Sequence, residues 1–215
     1  MDPLHRRLAR LALARTSDYG FCLAGGYAVQ EHGFVDRPSE DVDLFTTAAA
    51  EDQFSEALAA VIDAYEADGL DVSVALSNSG FARLQVTDPN AGATAKVELG
   101  IDWRAHPPVM LAIGPVLHPD DAAANKVCAL FSRAQARDYV DVDAVLRSGR
   151  YTSDELLALA RSHDPGFDKT MFVIALRAVR RLPSAEFTPY GLTEADGLAL
   201  IERTTEWADA LERPS

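Results

Sequence analysis

Two aspartates separated by one residue, Asp41 and Asp43, are the residues of this sequence best suited to chemistry. They lie in the segment EDVDLF, whose alternation of polar and apolar residues predicts a β-strand. Because successive strand residues point to opposite faces of a sheet, both carboxylates would share one face, about 7 Å apart. Such a pair suits one or two Mg²⁺ ions, which take oxygen ligands. A chain rich in aspartate also contains such pairs by chance, and DVD recurs within a helical pattern at Asp141–Asp143.

Two adjacent glycines, Gly25 and Gly26, stand between an apolar segment that predicts a buried strand and a short predicted helix. Without a Cβ, the backbone can be approached closely, and a helix start offers N–H groups and a positive dipole. That environment suits a triphosphate. The spacing matches neither the Walker loop nor the dinucleotide-binding fingerprint. A tight turn packed against a neighbouring element would use the same two glycines.

The elements that must position these residues differ between the two halves of the chain. In the first half we expect helices over 3–16, 27–33 and 50–67, and strands over 20–24, 40–45, 70–76, 81–88 and 94–102. Turn signals between the last three strands predict an antiparallel meander. From about residue 120 the pattern is helical almost to the end. The sequence therefore predicts an α/β core over 1–118 and a helical domain over 119–215, in an α+β protein.

The composition is typical of a soluble globular protein. The chain has 215 residues, of which 48% are hydrophobic and 25% charged, and no apolar run reaches the length of a membrane span. We expect a cytoplasmic protein without a membrane partner, because the N-terminal segment lacks the pattern of a signal peptide. The formal charge of −13 argues against strong non-specific binding of nucleic acid, which depends on Lys and Arg.

The segment LAGGYAVQEHGFVDRPSEDVDLF resembles the first motif of the DNA polymerase β-like nucleotidyltransferases. In that superfamily a Gly-Gly or Gly-Ser turn precedes the metal-binding D-x-D by a similar distance. More particularly, it is similar to the branch containing the AbiEii/AbiGii and MenT-type toxins, which tend to read L-x-GG-T-A-L and then R-x-S-x-D-I-D-L-F. The second part is matched here, in the same order, by Arg37, Ser39, Asp41 and Asp43.

A later segment, NKVCALFSRAQARDYVDVDAVL, is similar to a second signature of the same branch. The residues that match it are Lys126, Arg133, Asp138 and Asp141. Together the two signatures cover about residues 20–147. One departure concerns Tyr27, which stands where the family usually has Thr or Ser. A small hydroxyl that could contact phosphate is there replaced by a ring.

The resemblance implies a polymerase β-like nucleotidyltransferase core with a mixed or antiparallel sheet, followed by a C-terminal helical bundle. It implies that the paired aspartates bind Mg²⁺ or Mn²⁺ and that a third acidic ligand lies on a later strand. Glu98 is the candidate, because Val97 and Leu99 would face the core and leave its carboxylate on the other face. Asp102 is the competitor. A glutamate that merely faces solvent would show the same pattern.

The other matching residues would handle the nucleotide. The resemblance assigns nucleotide binding to Gly25, Gly26, Tyr27, Arg37, Ser39, Lys126 and Arg133. Lys126 would be a point charge for phosphates. Asp138 and Asp141, at i and i+3 on one helix face, would orient Lys126, Arg133 or the nucleophile. A surface lysine and a solvated helix face would have the same sequence.

The activity implied by the resemblance is transfer of a nucleotide from an NTP to RNA, such as a tRNA 3′ end, by a toxin that an antitoxin protein neutralises. Two alternatives stay open. Nucleotidyl transfer to a small molecule such as an aminoglycoside suits the charge of −13 better than RNA does. A catalytically silent nucleotide-binding module would account for Tyr27.

Overall fold

The structure is a computed structural model that describes residues 1–213. Its contacts divide the chain into two compact units: residues 1–31 with 39–119, and residues 32–38 with the described residues from Asp120 onward. The first unit combines a mixed sheet with helices and the second is helical, so the α+β class predicted from the sequence is confirmed. Within residues 1–213, no helix is both long enough and apolar enough to cross a membrane.

The first unit begins with a helix whose start is capped by Asp2, the side chain of which accepts hydrogen bonds from two backbone N–H groups. Its elements are α1 (Pro3–Thr16), β1 (Cys22–Leu23), α2 (Gly25–Glu31), β2 (Asp41–Thr46), α3 (Phe54–Ala67), β3 (Asp71–Ser77), β4 (Phe81–Asp88), β5 (Ala93–Ile101), β6 (Val109–Leu111) and β7 (Gly114–Val116). The segment Ala48–Gln53 is a 3₁₀ helix, so the helix expected to start at residue 50 starts at Phe54. In this described stretch the residue before the helix, Gln53, makes no capping hydrogen bond with its side chain. A 3₁₀ turn is common at the end of an α-helix.

The strands of the described residues form a seven-stranded sheet in the order β3-β4-β5-β2-β1-β7-β6. The antiparallel pairs β3–β4 and β4–β5 confirm the predicted meander. Strand β2 pairs parallel with β5 and antiparallel with β1. The hairpin of β6 and β7 was not predicted, because its strands are short and its sequence contains Gly114 and Pro115, which disfavour a strand.

Burial on one side of the sheet fixes which residues of β2 and β5 face the other side. Val42 and Leu44 of β2 are completely buried, as are Val97 and Leu99 of β5. Because strand residues alternate between faces, the residues between them are presented on the opposite face. Glu98 therefore lies on the face opposite to Val97 and Leu99, as the sequence predicted.

The second unit contains the helices predicted after residue 120. They are α4 (Pro119–Arg133), α5 (Ala136–Arg147), α6 (Ser153–His163), α7 (Lys169–Arg177) and α8 (Glu194–Glu212), with 3₁₀ helices at Ala178–Arg181 and Ser184–Tyr190. Their core includes Phe172, Phe187 and Leu200, which are completely buried. The segment 32–38 contacts this unit at helix α5, where Arg37 binds Asp141, and at the loop after it, where the Arg150 guanidinium lies 5.5 Å from the centre of the Phe34 ring. The division into folding domains at residue 118 stays a proposal.

Candidate active site

Asp41, Asp43 and Glu98 come together on one face of the sheet in the first unit. Each offers a carboxylate oxygen, and these oxygens lie within 4.8 Å of one another. The parallel register explains the meeting, because it sets Asp43 directly beside Glu98. Asp102 lies beyond the end of β5, where its carboxylate accepts a hydrogen bond from the backbone N–H of Trp103. The geometry thus favours Glu98 over Asp102 as the third member of the group.

This group fits a divalent cation. Carboxylate oxygens are the ligands that Mg²⁺ and Mn²⁺ prefer. The Asp43 carboxylate is seated against the backbone of Gly25, where a Cβ would lie 1.7 Å from Asp43 Oδ2. Gly25 also has a φ of +57°, which L side chains rarely adopt. The glycine turn therefore makes room for one of the three carboxylates.

Two basic side chains, Lys96 and Arg83, lie on the same face as the carboxylates. Lys96 Nζ is 2.8 Å from Asp41 Oδ2 and 3.5 Å from Glu98 Oε1, and Arg83 Nε donates to Glu98 Oε1 at 2.8 Å. Burial lowers the pKa of Lys96, but the hydrogen bonds and charges of Asp41 and Glu98 outweigh burial and raise it. Neither residue was predicted. The available signal was the alternation of Lys96, Val97 and Glu98, which puts the lysine and the glutamate on one face of β5.

Tyr27, the departure from the family pattern, points into the core of the first unit. It is 2% exposed, its ring packs edge-on against His5, and its hydroxyl is hydrogen-bonded to His5 Nδ1 at 2.5 Å. The backbone carbonyl of Ser39 accepts from the same hydroxyl at 3.5 Å. Gly26 is buried in α2 beside it. The ring therefore fills the interior and does not replace a hydroxyl at the surface of the turn.

His5 is buried together with Tyr27. Burial lowers the pKa of His5, while the charges of Asp2 and Asp41 oppose that shift. The lowered pKa favours a neutral imidazole near neutral pH. A neutral ring can exchange one hydrogen bond with the Tyr27 hydroxyl without placing a buried positive charge in the core.

A second group of predicted residues meets at Asp141 in the helical unit. Arg37 donates from Nε to Asp141 Oδ1 at 2.5 Å and from Nη2 to Oδ2 at 2.7 Å, and Lys126 Nζ lies 2.9 Å from Oδ2. Asp141 is 0% exposed and Lys126 only 7%. Burial raises the pKa of Asp141, but the Lys126 and Arg37 cations outweigh burial and hold it below its usual range. Asp141 thus holds two of the residues expected to bind the nucleotide.

Asp138 has a different set of partners. Its carboxylate accepts from the backbone N–H of Gln135 at 3.0 Å, which caps the start of α5, and from Arg133 Nη2 at 2.8 Å. It is completely buried, and so is Asp141. The alternative of a solvated helix face is therefore wrong, because α5 packs this face inside the unit. The Arg133 side chain remains 44% exposed.

Comparisons with known proteins identify the family and the fold of the chain. A family model described as "Nucleotidyl transferase AbiEii toxin, Type IV TA system" matches residues 6–213. Among solved structures, the nucleotidyltransferase toxin MenT4 of Mycobacterium tuberculosis superposes with a TM-score of 0.63 at 18% identity, covering 99% of this chain and 84% of that one. A candidate nucleotidyltransferase of H. pylori gives 0.61 at 18% identity, covering 99% and 98%.

At this identity the structural similarities establish the fold alone. A search among curated proteins gives no significant match. The family model, in contrast, spans nearly the whole chain and includes both groups of residues described above. The protein therefore belongs to the AbiEii nucleotidyl transferase toxins of type IV toxin–antitoxin systems and is a nucleotidyltransferase.

Proposed function

We propose that this nucleotidyltransferase moves a nucleoside monophosphate from an NTP to a hydroxyl group of RNA, such as a tRNA 3′ end, with Mg²⁺ as cofactor. The observation that carries the proposal is the convergence of Asp41, Asp43 and Glu98 on one sheet face in a chain of the AbiEii family. Three convergent carboxylates suit a cation that accompanies phosphates. The family also implies an antitoxin protein as partner.

The reaction is an in-line displacement. The acceptor hydroxyl gives up its proton to water, its oxygen forms a bond to the α-phosphorus, the bond from that phosphorus to the bridging oxygen breaks, and pyrophosphate leaves. Asp41, Asp43 and Glu98 would hold the metal, which when bound lowers the pKa of the attacking hydroxyl and offsets the charge of the leaving group. The protein's part is then to bind and orient the reactants, which is how phosphoryl-transfer enzymes in general work.

The phosphates are assigned to the glycine turn and to two basic residues. The backbone around Gly25 and Gly26 admits close approach, since neither residue carries a Cβ. Lys126 has three donors, so its bond to Asp141 leaves others for a phosphate. Arg133 is half-exposed, and Asp138 holds its guanidinium through Nε and Nη2.

Arg37 acts by holding Asp141 instead of touching phosphate. Its Nε and Nη2 are bound to Asp141, and its Nη1 donates to the carbonyl of Pro38 at 2.7 Å. The bidentate pair fixes the Asp141 carboxylate, which in turn positions Lys126. Ser39 and Tyr27 are also assigned to nucleotide binding, and Tyr27 would act through its backbone, because its side chain is buried.

The toxin family supports an RNA acceptor over a small one, because a toxin of this chemistry must modify a molecule that the cell needs. The charge of −13 keeps a cationic small molecule as the second candidate acceptor. The buried packing of Tyr27 removes the observation that favoured a silent binding module. Inhibitory concentrations of aminoglycosides in expressing cells, unchanged by the protein, would dismiss the small-molecule acceptor.

The experiment mixes the purified protein with Mg²⁺, total RNA and each labelled NTP in turn. We expect label in a discrete RNA band, which identifies the nucleotide and the size of the acceptor together. Asp41→Asn and Asp43→Asn should lose the label, whereas Asp71→Asn, on the exposed edge strand β3, should keep it. Equal labelling by wild type and both site variants would show the assignment of the metal site to be wrong.

A further inference from the structure

Acidic and basic side chains share the sheet face that carries the three carboxylates. The register of β2, β5 and β4 sets Asp41 beside Lys96 in one row, and Asp43, Glu98 and Arg83 side by side in the next. Lys96 is therefore the neighbour of Asp41 across the strand pair and of Glu98 along β5, and its ammonium contacts both carboxylates, at 2.8 Å and 3.5 Å. Arg83 contacts Glu98 as well. The two basic side chains and the three carboxylates together carry a net charge of −1, whereas the three carboxylates without them would carry −3.

This arrangement puts Lys96 in competition with a metal ion. A cation shared by Asp41, Asp43 and Glu98 would need the oxygens that the ammonium already contacts. If the ammonium stayed, it would lie within a few ångströms of the metal, where like charges repel strongly. The half-buried site screens that repulsion less than a fully exposed surface would.

Arg83 has a different position and does not compete in the same way. Its guanidinium contacts Glu98 and lies 5.7 Å from the centre of the Phe81 ring. Stacking and a planar fork hold an arginine in one place, whereas the four-carbon stem of a lysine swings freely. Lys96 is therefore the movable cation of the group, and Arg83 the fixed one.

We propose that Lys96 is a tethered cation that keeps metal affinity low until the nucleotide arrives, and then moves to the phosphate oxygens of the NTP. This inference rests on the metal site of the proposed function. The incoming triphosphate supplies new negative charge for the ammonium, and the accompanying metal takes over its place among the carboxylates. Metal and nucleotide thus bind with positive coupling, and the protein alone binds metal weakly.

The first test measures binding of Mn²⁺ alone to the intact protein, from the EPR signal of free Mn²⁺. Removing one positive charge at this distance should tighten binding at least about tenfold in Lys96→Met. Lys96→Arg keeps the charge and should bind Mn²⁺ as weakly as wild type, within about twofold. Lys169→Met, which removes an exposed lysine at the start of α7, is the matched control and should not differ from wild type. Mn²⁺ affinity of Lys96→Met equal to or weaker than that of wild type would overturn the inference.

A double variant separates this inference from the proposed function. In Lys96→Met/Asp43→Asn the gain in Mn²⁺ affinity should disappear, because one of the three ligands is lost. If the gain persists, Mn²⁺ binds elsewhere, and the metal assignment of the proposed function fails together with the role of Lys96. If Asp43→Asn removes Mn²⁺ binding but Lys96→Met never tightened it, only the role of Lys96 is wrong.

A second experiment measures the coupling between Mn²⁺ binding and nucleotide binding. A non-hydrolysable NTP analogue should strengthen Mn²⁺ binding in wild type by a larger factor than in Lys96→Met, because the variant has no ammonium to release. A merely structural lysine would leave this ratio unchanged, and an unchanged ratio would count against the proposal. Thermal melting of each variant confirms that the compared proteins are folded.

Discussion

The Asp43 carboxylate occupies the space that a side chain at Gly25 would need. A Cβ on Gly25 would lie 1.7 Å from Asp43 Oδ2 and 2.5 Å from its Cγ. The backbone N–H of Ala24 also donates to the Asp43 carbonyl at 2.8 Å. The glycine turn and the acidic strand are therefore one packed structure, which gives a physical reason for finding both in a single motif.

Gly25→Ala should strongly reduce activity through this contact. The left-handed φ costs an alanine about 1 kcal/mol, and the new Cβ must displace the Asp43 carboxylate. A ligand moved by about 1 Å can cost about 100-fold in rate, so we expect a loss of nucleotidyl transfer of that order. Gly69→Ala is the control, because Gly69 has a φ of +79° with nothing within 4 Å of its Cβ position. It should lose similar stability but keep its rate; an equal loss of rate in both would argue for backbone strain alone.

Glu98→Gln and Asp102→Asn should separate the two candidates for the third acidic ligand. Glu98 lies within the group of carboxylates and Asp102 beyond the strand. We expect Glu98→Gln to reduce Mg²⁺-dependent transfer at least about 100-fold, since even indirect support of a metal site is worth 10–100-fold. Asp102→Asn should stay within about twofold of wild type. The reverse order in rates measured at saturating NTP would transfer the role to Asp102.

Asp141→Asn should destabilise the helical unit strongly. The change removes the carboxylate that binds both Arg37 and Lys126 inside the unit, and breaking a buried pair costs about 3–5 kcal/mol. Asp143→Asn is the control, since Asp143 pairs with the partly exposed Arg203. Urea denaturation should show the larger loss in Asp141→Asn. Equal losses would mean that the buried cluster adds little to stability.

The difference in stability between wild type and Asp141→Asn should depend on pH. The pKa of Asp141 in the folded protein is lowered, so its contribution is complete above the unfolded value of about 3.9 and is lost as the pH falls through the folded value. Wild type and Asp141→Asn should therefore differ most above pH about 4 and converge in more acidic solution. A difference that grows on acidification would contradict this assignment.

Tyr27→Thr, which restores the residue usual in the family, should damage the protein. The buried ring fills the core beside His5, and removing an aromatic ring from a core costs about 3 kcal/mol or more. Tyr27→Phe keeps the ring and loses the hydroxyl that bonds to His5 and to the Ser39 carbonyl, at about 1 kcal/mol for each hydrogen bond, and should keep its rate per folded molecule. A faster enzyme from Tyr27→Thr would mean that the hydroxyl reaches the nucleotide after all.

His5 should make the protein less stable in mildly acidic solution. Its pKa is lowered by burial, so below about pH 6.5 the unfolded chain takes up a proton that the folded protein resists. The free energy of unfolding should therefore fall between pH 7.5 and pH 5.5, and by less in His5→Gln than in wild type. Identical pH dependence in the two proteins would assign the effect to other groups.

The sequence predicted what depends on local pattern. Periodicity identified the helices, the meander and the face on which Asp41, Asp43 and Glu98 lie, because alternation along a strand is a local property. Periodicity could not predict the ion pair between Lys96 and Asp41, because that contact depends on the parallel pairing of β2 with β5. This pairing joins segments that are far apart in the sequence.

Arg37 illustrates the same limit in the helical unit. A sequence motif associated it with the nucleotide, yet it binds a buried carboxylate 104 positions later in the chain. Short, glycine-containing strands such as β7 also escaped prediction, because tertiary pairing and not local propensity makes them strands.

The separation of Arg37 from Asp141 has a consequence for synthesis of the protein. A ribosome adding 5–20 residues per second needs roughly 5–20 s between these two residues, which are 104 positions apart. Strand β2, which follows segment 32–38, can pair with β5 as soon as β5 has left the ribosome. Arg37 in segment 32–38 can bind Asp141 only after α5 has been made. During that interval a guanidinium that is buried in the finished protein stays in water, so the nascent chain reaches its final charge pairing only when the helices have been made.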